Sequence, residues 1–219
     1  MNTLVNNRFI RKTMTNIFKT PLIGVAAIFY SAQAFAACSD PAAPGVDWSG
    51  CKLEKANLQS VDLSGADLSK ARLKNANLKH AILTGADLER ANLSGAILTR
   101  ADLNGANMED ANLKGANISG ANLKKAILVG ANLQGAFLVE ANLQGADLED
   151  ANLQMSRSQG AKLKDANMED SKMDNADFSG ADLNGASLDG ASTFNTSFAN
   201  ATWTNGRRCQ ATAKGNCNK

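Results

Sequence analysis

Side chains that could do chemistry are unevenly stocked in this 219-residue chain. His80 is its only histidine. The four cysteines, Cys38, Cys51, Cys209 and Cys217, sit two near each end with none between. Serines abound, but none has a base placed beside it as a nucleophile needs. A carboxylate pair for glycoside-type hydrolysis requires a cleft and one raised pKa, and no cleft-forming segment stands out. No phosphate-binding loop or dinucleotide fingerprint is present, so no cofactor and no metal site is expected. What the chain does carry is carboxylate: 21 Asp+Glu. Glu89, Glu109, Glu149 and Glu169 stand apart by multiples of twenty, as do Asp47, Asp67, Asp87 and Asp147. Such an array attracts cations or a basic partner, provided the fold brings residues twenty apart onto one surface.

The bulk numbers narrow the field further. Aromatics make up 5% of the chain and prolines number three, so a core of interlocking large side chains is not expected. A formal net charge of +2 gives no sign of a nucleic-acid binder. Residues 1–36 differ from the rest. Arg8, Arg11, Lys12 and Lys19 precede an apolar run from Pro21 to Tyr30, which is followed by Ala34-Phe-Ala36. A basic start, a short apolar run and an A-x-A site describe a secretory signal peptide. The run is too short for a membrane span, which needs about 20 residues, so no integral membrane segment is expected in the mature chain. Cleavage is expected after Ala36. The lead-in is long, which leaves Met1 and Met14 both as starts, and Phe35-Ala-Ala-Cys38 leaves lipidation of Cys38 as a minor alternative. Four of the 23 basic residues lie in this leader, so 19 remain against 21 acidic ones, a net of −2. Four cysteines in an exported chain read as disulfides, with three possible connectivities.

From Val46-Asp-Trp48-Ser-Gly50 to Ala201-Thr-Trp203-Thr-Asn205 the sequence repeats every five residues without insertion, giving 32 pentads. A helix repeats near 3.6 and a strand at 2, so five is neither. Leu fills 22 of the 32 central positions, and Ala stands two before the centre in 26 of them. This A(D/N)LXX pattern resembles the pentapeptide-repeat family. The resemblance implies an all-β, right-handed quadrilateral β-helix of about eight coils, with four pentads per coil and one per side. Centre and alanine side chains would fill a narrow tube, and glycines such as Gly105, Gly115 and Gly120 would suit its corners. The expected division is a signal peptide at 1–36, an N-terminal cap segment at 37–45, the β-helix at 46–205 and a disulfide-stapled C-terminal cap at 206–219.

The resemblance also orders the remaining residues. Eight coils at the strand spacing of roughly 4.8 Å give a rod on the order of 38 Å long. Cysteines at opposite ends then lie beyond the ~7 Å reach of a disulfide, which implies Cys38–Cys51 and Cys209–Cys217. Trp48 and Trp203, the first and last centres, read as end plugs. Residues twenty apart stack, so one face gathers Asp47, Asp67, Asp87, Glu89, Glu109, Asp110, Asp147, Glu149, Asp150, Glu169, Asp170 and Asp189, against Lys70 and Arg90 alone. The next face carries Lys52, Lys55, Arg72, Lys74, Lys114 and Lys172 against Glu54 and Asp174. Like charges stacked in a ladder are destabilising, so the acidic face is the candidate interaction surface. On the third face Ile97, Phe137 and Val139 form a candidate apolar patch for a weak homodimer or a partner. Ser156 and Ser158 break the interior rule, with Phe178, Phe198 or Met155 expected to fill the space. Phe194 is expected to compete with Thr193 for its centre through a one-residue bulge.

The functional expectation is a non-catalytic binding or structural rod, in the periplasm or outside the cell, meeting a basic protein partner through the acidic face. A DNA-mimicking inhibitor of a nucleic-acid enzyme ranks second, because a net of −2 and an export signal both argue against it. A hydrolase with an unrecognised site ranks third.

Overall fold

The computed structural model describes residues 38–217; the leader and Asn218–Lys219 lie outside the described residues. From Asp47 to Asp182, every residue that precedes a centre makes a parallel bridge to the residue twenty further on. The bridges are single rungs separated by turns, so each coil is a square of four one-residue strands. The fold is a right-handed quadrilateral β-helix. Centres and alanines point inward: from Leu63 to Leu153 every one of them is at most 2% exposed.

Backbone accounting explains the pentad. In Asp62-Leu63-Ser64-Gly65-Ala66 the Ala66 N–H closes a turn onto the Leu63 carbonyl at 3.0 Å. The Leu63 and Gly65 N–H groups donate to Ile82 and Thr84 of the next coil, at 2.7 and 2.9 Å. That leaves the Ser64 N–H with no backbone partner, and the Asp62 carboxylate accepts it at 3.0 Å. The same bond recurs at Asn92–Ser94, Asn132–Gln134 and Asp177–Ser179. An Asp or Asn before the centre therefore satisfies the one amide that the coil ladder leaves over.

The last pentad position carries the conformational cost. Of the 32 pentads, 31 end on a residue with positive φ, 14 of them Gly and 17 not. A turn whose third residue has φ > 0 favours Gly or Asn. None of the 17 is β-branched, the class for which this conformation is most unfavourable.

The tube ends are built differently. At the start, Cys38 and Cys51 are joined with Cα atoms 5.5 Å apart, and Trp48 is buried at 4% exposure with its indole N–H unpartnered. After Asn205 the chain reverses. Arg208 and Lys214 pair antiparallel with Thr202 and Ser197, and Cys209–Cys217 closes this tail with Cα atoms 4.9 Å apart. Trp203 is half-buried and stands edge-on to Phe198 at 4.9 Å, which in turn stacks on Phe178 at 5.9 Å.

Two local expectations are corrected. Thr193 keeps its central place without a bulge, because its hydroxyl donates to the Gly215 carbonyl of the tail at 2.6 Å, and Phe194 is left 77% exposed. Met155 does not enter the gap beside Ser158. It occupies a left-handed corner (φ 57°) that points it outward at 54% exposure. The two interior serines bond to each other instead, Oγ to Oγ at 3.2 Å.

Candidate functional site

Face one of the β-helix holds all twelve of the acidic residues assigned to it. It is divided by the fifth coil, where Ile127 and Val129 replace carboxylates and Ile127 is 42% exposed. The upper group contains Asp47, Asp67, Asp87, Glu89, Glu109 and Asp110. Arg90 moderates it, reaching Glu89 at 3.1 Å and Asp110 at 3.4 Å. The lower group, Asp147, Glu149, Asp150, Glu169, Asp170 and Asp189, forms no salt bridge among the described residues. Its partners are neutral: Asn167 donates to Asp147 at 3.0 Å and to Glu149 at 3.3 Å, and Ser187 donates to Glu169 at 2.9 Å.

The carboxylates fall into two kinds. Those before a centre cap a backbone amide, Asp67 to Ser69 at 2.9 Å and Asp87 to Glu89 at 3.0 Å. Their retention follows from the coil itself. Those after a centre or at a corner, Glu109, Glu149, Asp150, Glu169 and Asp170, close no such turn. The free electrostatic surface is therefore smaller than the column count suggests, and it concentrates in the lower group.

Four aspartates, Asp47 on face one and Asp62, Asp174 and Asp177 on the other faces, are held below the usual carboxylate range. In Asp47 the Ser49 amide does so first and the Ser49 hydroxyl second; in Asp62 the Ser64 hydroxyl leads. The Ser192 hydroxyl and Gln154 lower Asp174. At Asp177 burial pushes up, but hydrogen bonds from Ser179 and Gln159 outweigh it.

The neighbouring face is less free than its charges suggest, since Arg72 pairs with Glu54 at 2.6 Å. On the third face Ile97 and Phe137 do not touch: Asn117 is the rung between them. Phe137 is half-buried with the Arg157 guanidinium 4.9 Å above its ring. Val139 lies beside Phe137 in the same pentad, so the candidate patch spans two rungs of this face with Asn117 between them. His80 is an exposed corner residue with φ 58°. No group of three His, Cys, Asp or Glu among the described residues is arranged to hold a metal ion, and no helix among them is long and apolar enough to cross a membrane.

Comparison with known proteins agrees with this geometry. The sequence model of the pentapeptide-repeat family matches in eight copies, over residues 36–69, 71–110, 91–128, 126–157 and 159–192. The chain belongs to the pentapeptide-repeat family. Among solved structures it is similar to HetL, a pentapeptide-repeat protein involved in heterocyst differentiation regulation in the cyanobacterium Nostoc. That similarity has 30% identity and a TM-score of 0.60 over 75% of this chain and 86% of HetL. Rfr23 from the cyanobacterium Cyanothece aligns at 35% identity and TM-score 0.41, over 50% of this chain and 89% of its own. No curated protein matches. Sequence reasoning missed the division of the acidic face. The signal was present in Ile127-Leu-Val129 once residues are counted in twenties.

Proposed function

We propose that this pentapeptide-repeat protein is an exported, non-catalytic rod that binds a basic protein partner through face one. The carrying observation is electrostatic: twelve carboxylates stand against two basic residues on one side of four. The lower six are unneutralised by any salt bridge among the described residues. An uncompensated column of like charge works against folding, and a cationic partner removes that repulsion while gaining on-rate from the field. Export is supported by the leader read in residues 1–36 and by two disulfides, which persist in oxidising compartments. Among the described residues the tube interior is filled by buried Leu and Ala side chains, which supports a binding rather than a catalytic role.

Crosslinking in the intact cell envelope, after fractionation, tests this reading. The expected result is a mature chain outside the cytoplasm, crosslinked to a basic protein through residues near Glu149 and Glu169. Recovery of the mature chain only in the cytoplasm would overturn it.

A further inference from the structure

The tail forms backbone pairs with two sides of the final coil and touches the second face through the Thr193 hydroxyl, which donates to the Gly215 carbonyl. The reversed tail pairs with residues 196–203 of the third and fourth faces, where Phe198 and Asn200 donate to Ala213 and Gln210. Among the described residues nothing pairs with the face-one edge of that coil. Every earlier face-one centre donates its N–H to the next coil, as Met168 does to Ser187 at 2.9 Å. Among the described residues the Leu188 and Gly190 N–H groups have no acceptor, and the Ala186 carbonyl has no donor. These three groups stand in ladder register, ready for one more strand.

Beside this edge lies a cavity of ≈ 500 Å³, lined by Gly185, Ala186, Leu188 and Trp203 among others, with Asp189 at its rim. It explains why Leu188 is only half-buried while all other leucine centres of face one are at 0%. Its lining is mixed, with Leu188 and Trp203 as the large apolar side chains and Ser187, Asp189 and Thr204 as the polar ones, and it has room for one or two side chains. Around it stand Asp189, Glu169 and Asp170, the end of the lower acidic group.

We propose that this edge accepts an extended segment of a basic partner protein as an added strand. Its backbone pairs with Leu188, Gly190 and Ala186, an aliphatic side chain enters the cavity against Trp203 and Leu188, and lysines or arginines on its other face meet the three carboxylates. The added strand is a known mode of peptide capture, in which the main chain gives affinity and pockets give specificity. The inference rests on the acidic-face reading and deepens it, placing the partner's anchoring segment at the C-terminal end of that face. A second copy of this chain is a poorer occupant. Its first coil would have to stack flat on an end that already carries the tail.

The test uses the isotope-labelled full-length chain and a synthetic nonapeptide of alternating Lys and Val, blocked at both ends. The Leu188 and Gly190 amide resonances should shift, and their hydrogen exchange should slow at least about tenfold, as for amides newly bonded in a ladder. The same peptide N-methylated throughout should not do this. Thr204→Trp, which fills the cavity from its wall, should weaken binding at least about tenfold. If the two amides exchange unchanged, strand addition is overturned. Equal binding by the N-methylated peptide overturns it too. Shifts confined to Glu149 and Glu169 would remove the edge while leaving the acidic-face reading intact.

Discussion

Gly105 and Lys125 occupy the same corner position in different pentads, with φ of 65° and 57°. A Cβ added at Gly105 meets nothing within 4 Å, so Gly105→Ala changes only backbone preference. Left-handed φ costs an L-residue roughly 1–2 kcal/mol, while replacing Gly with Ala recovers about 0.4–1 kcal/mol of unfolded-chain entropy. The net expectation is a loss of about 0.5–1 kcal/mol for Gly105→Ala and a gain of similar size for Lys125→Gly. Lys125 is exposed and its side chain makes no ion pair among the described residues, so little else offsets the gain. Urea unfolding followed by circular dichroism reads the effect. With a slope near 2 kcal/mol/M the midpoints should move by roughly 0.3–0.5 M in opposite directions, at unchanged slope. Ordinary extended or helical backbone predicts the reverse pair of signs. A higher midpoint for Gly105→Ala would therefore refute the corner assignment.

Ser156→Ala should cost about 1–3 kcal/mol by stranding the buried Ser158 hydroxyl, while Ser156→Ala with Ser158→Ala should recover most of that; the same unfolding curves decide it. Replacing Cys209 and Cys217 by Ser should cost about 2–4 kcal/mol, with the loss seen first as faster amide exchange at Phe198 and Asn200. Asp62, Asp174 and Asp177 have folded pKa values below their unfolded ones, so their contribution is present above the unfolded value of 3.8 and is lost as pH falls through the folded values. A melting temperature that holds steady from neutrality down to about pH 5 and drops below about pH 4 is the expected acid profile.

Much of the architecture was legible because the pattern is strict. With Leu or a similar side chain every fifth residue and Ala two before it, the interior is written twice in each pentad. The Asp/Asn preference was visible as a frequency, but its cause lies in one leftover amide that only the hydrogen-bond ladder identifies. Past Asn205 the five-residue period stops, and with it any sequence signal for the direction of the chain. The antiparallel tail that seats Ala213 against Phe198 could not be read from Arg207 to Cys217. Thr193 kept its place because a tail residue accepts its hydroxyl, a contact invisible in the pentad alone. The split of the acidic face at Ile127 and Val129 was readable but obscured by counting charges per face rather than per coil.

The central claim, that face one is a binding surface, turns on where the charge sits and not on its total. Glu109→Gln, Glu149→Gln and Glu169→Gln together remove three negative charges from that face. Ser119→Lys, Gln134→Lys and Gln144→Lys together shift the net charge equally while leaving face one unchanged. Each variant is immobilised, and retention of the crosslinked partner from an envelope extract is compared with that of the unaltered chain. The account predicts that the first set loses at least about tenfold in retention and the second little. Equal retention by both sets would contradict it.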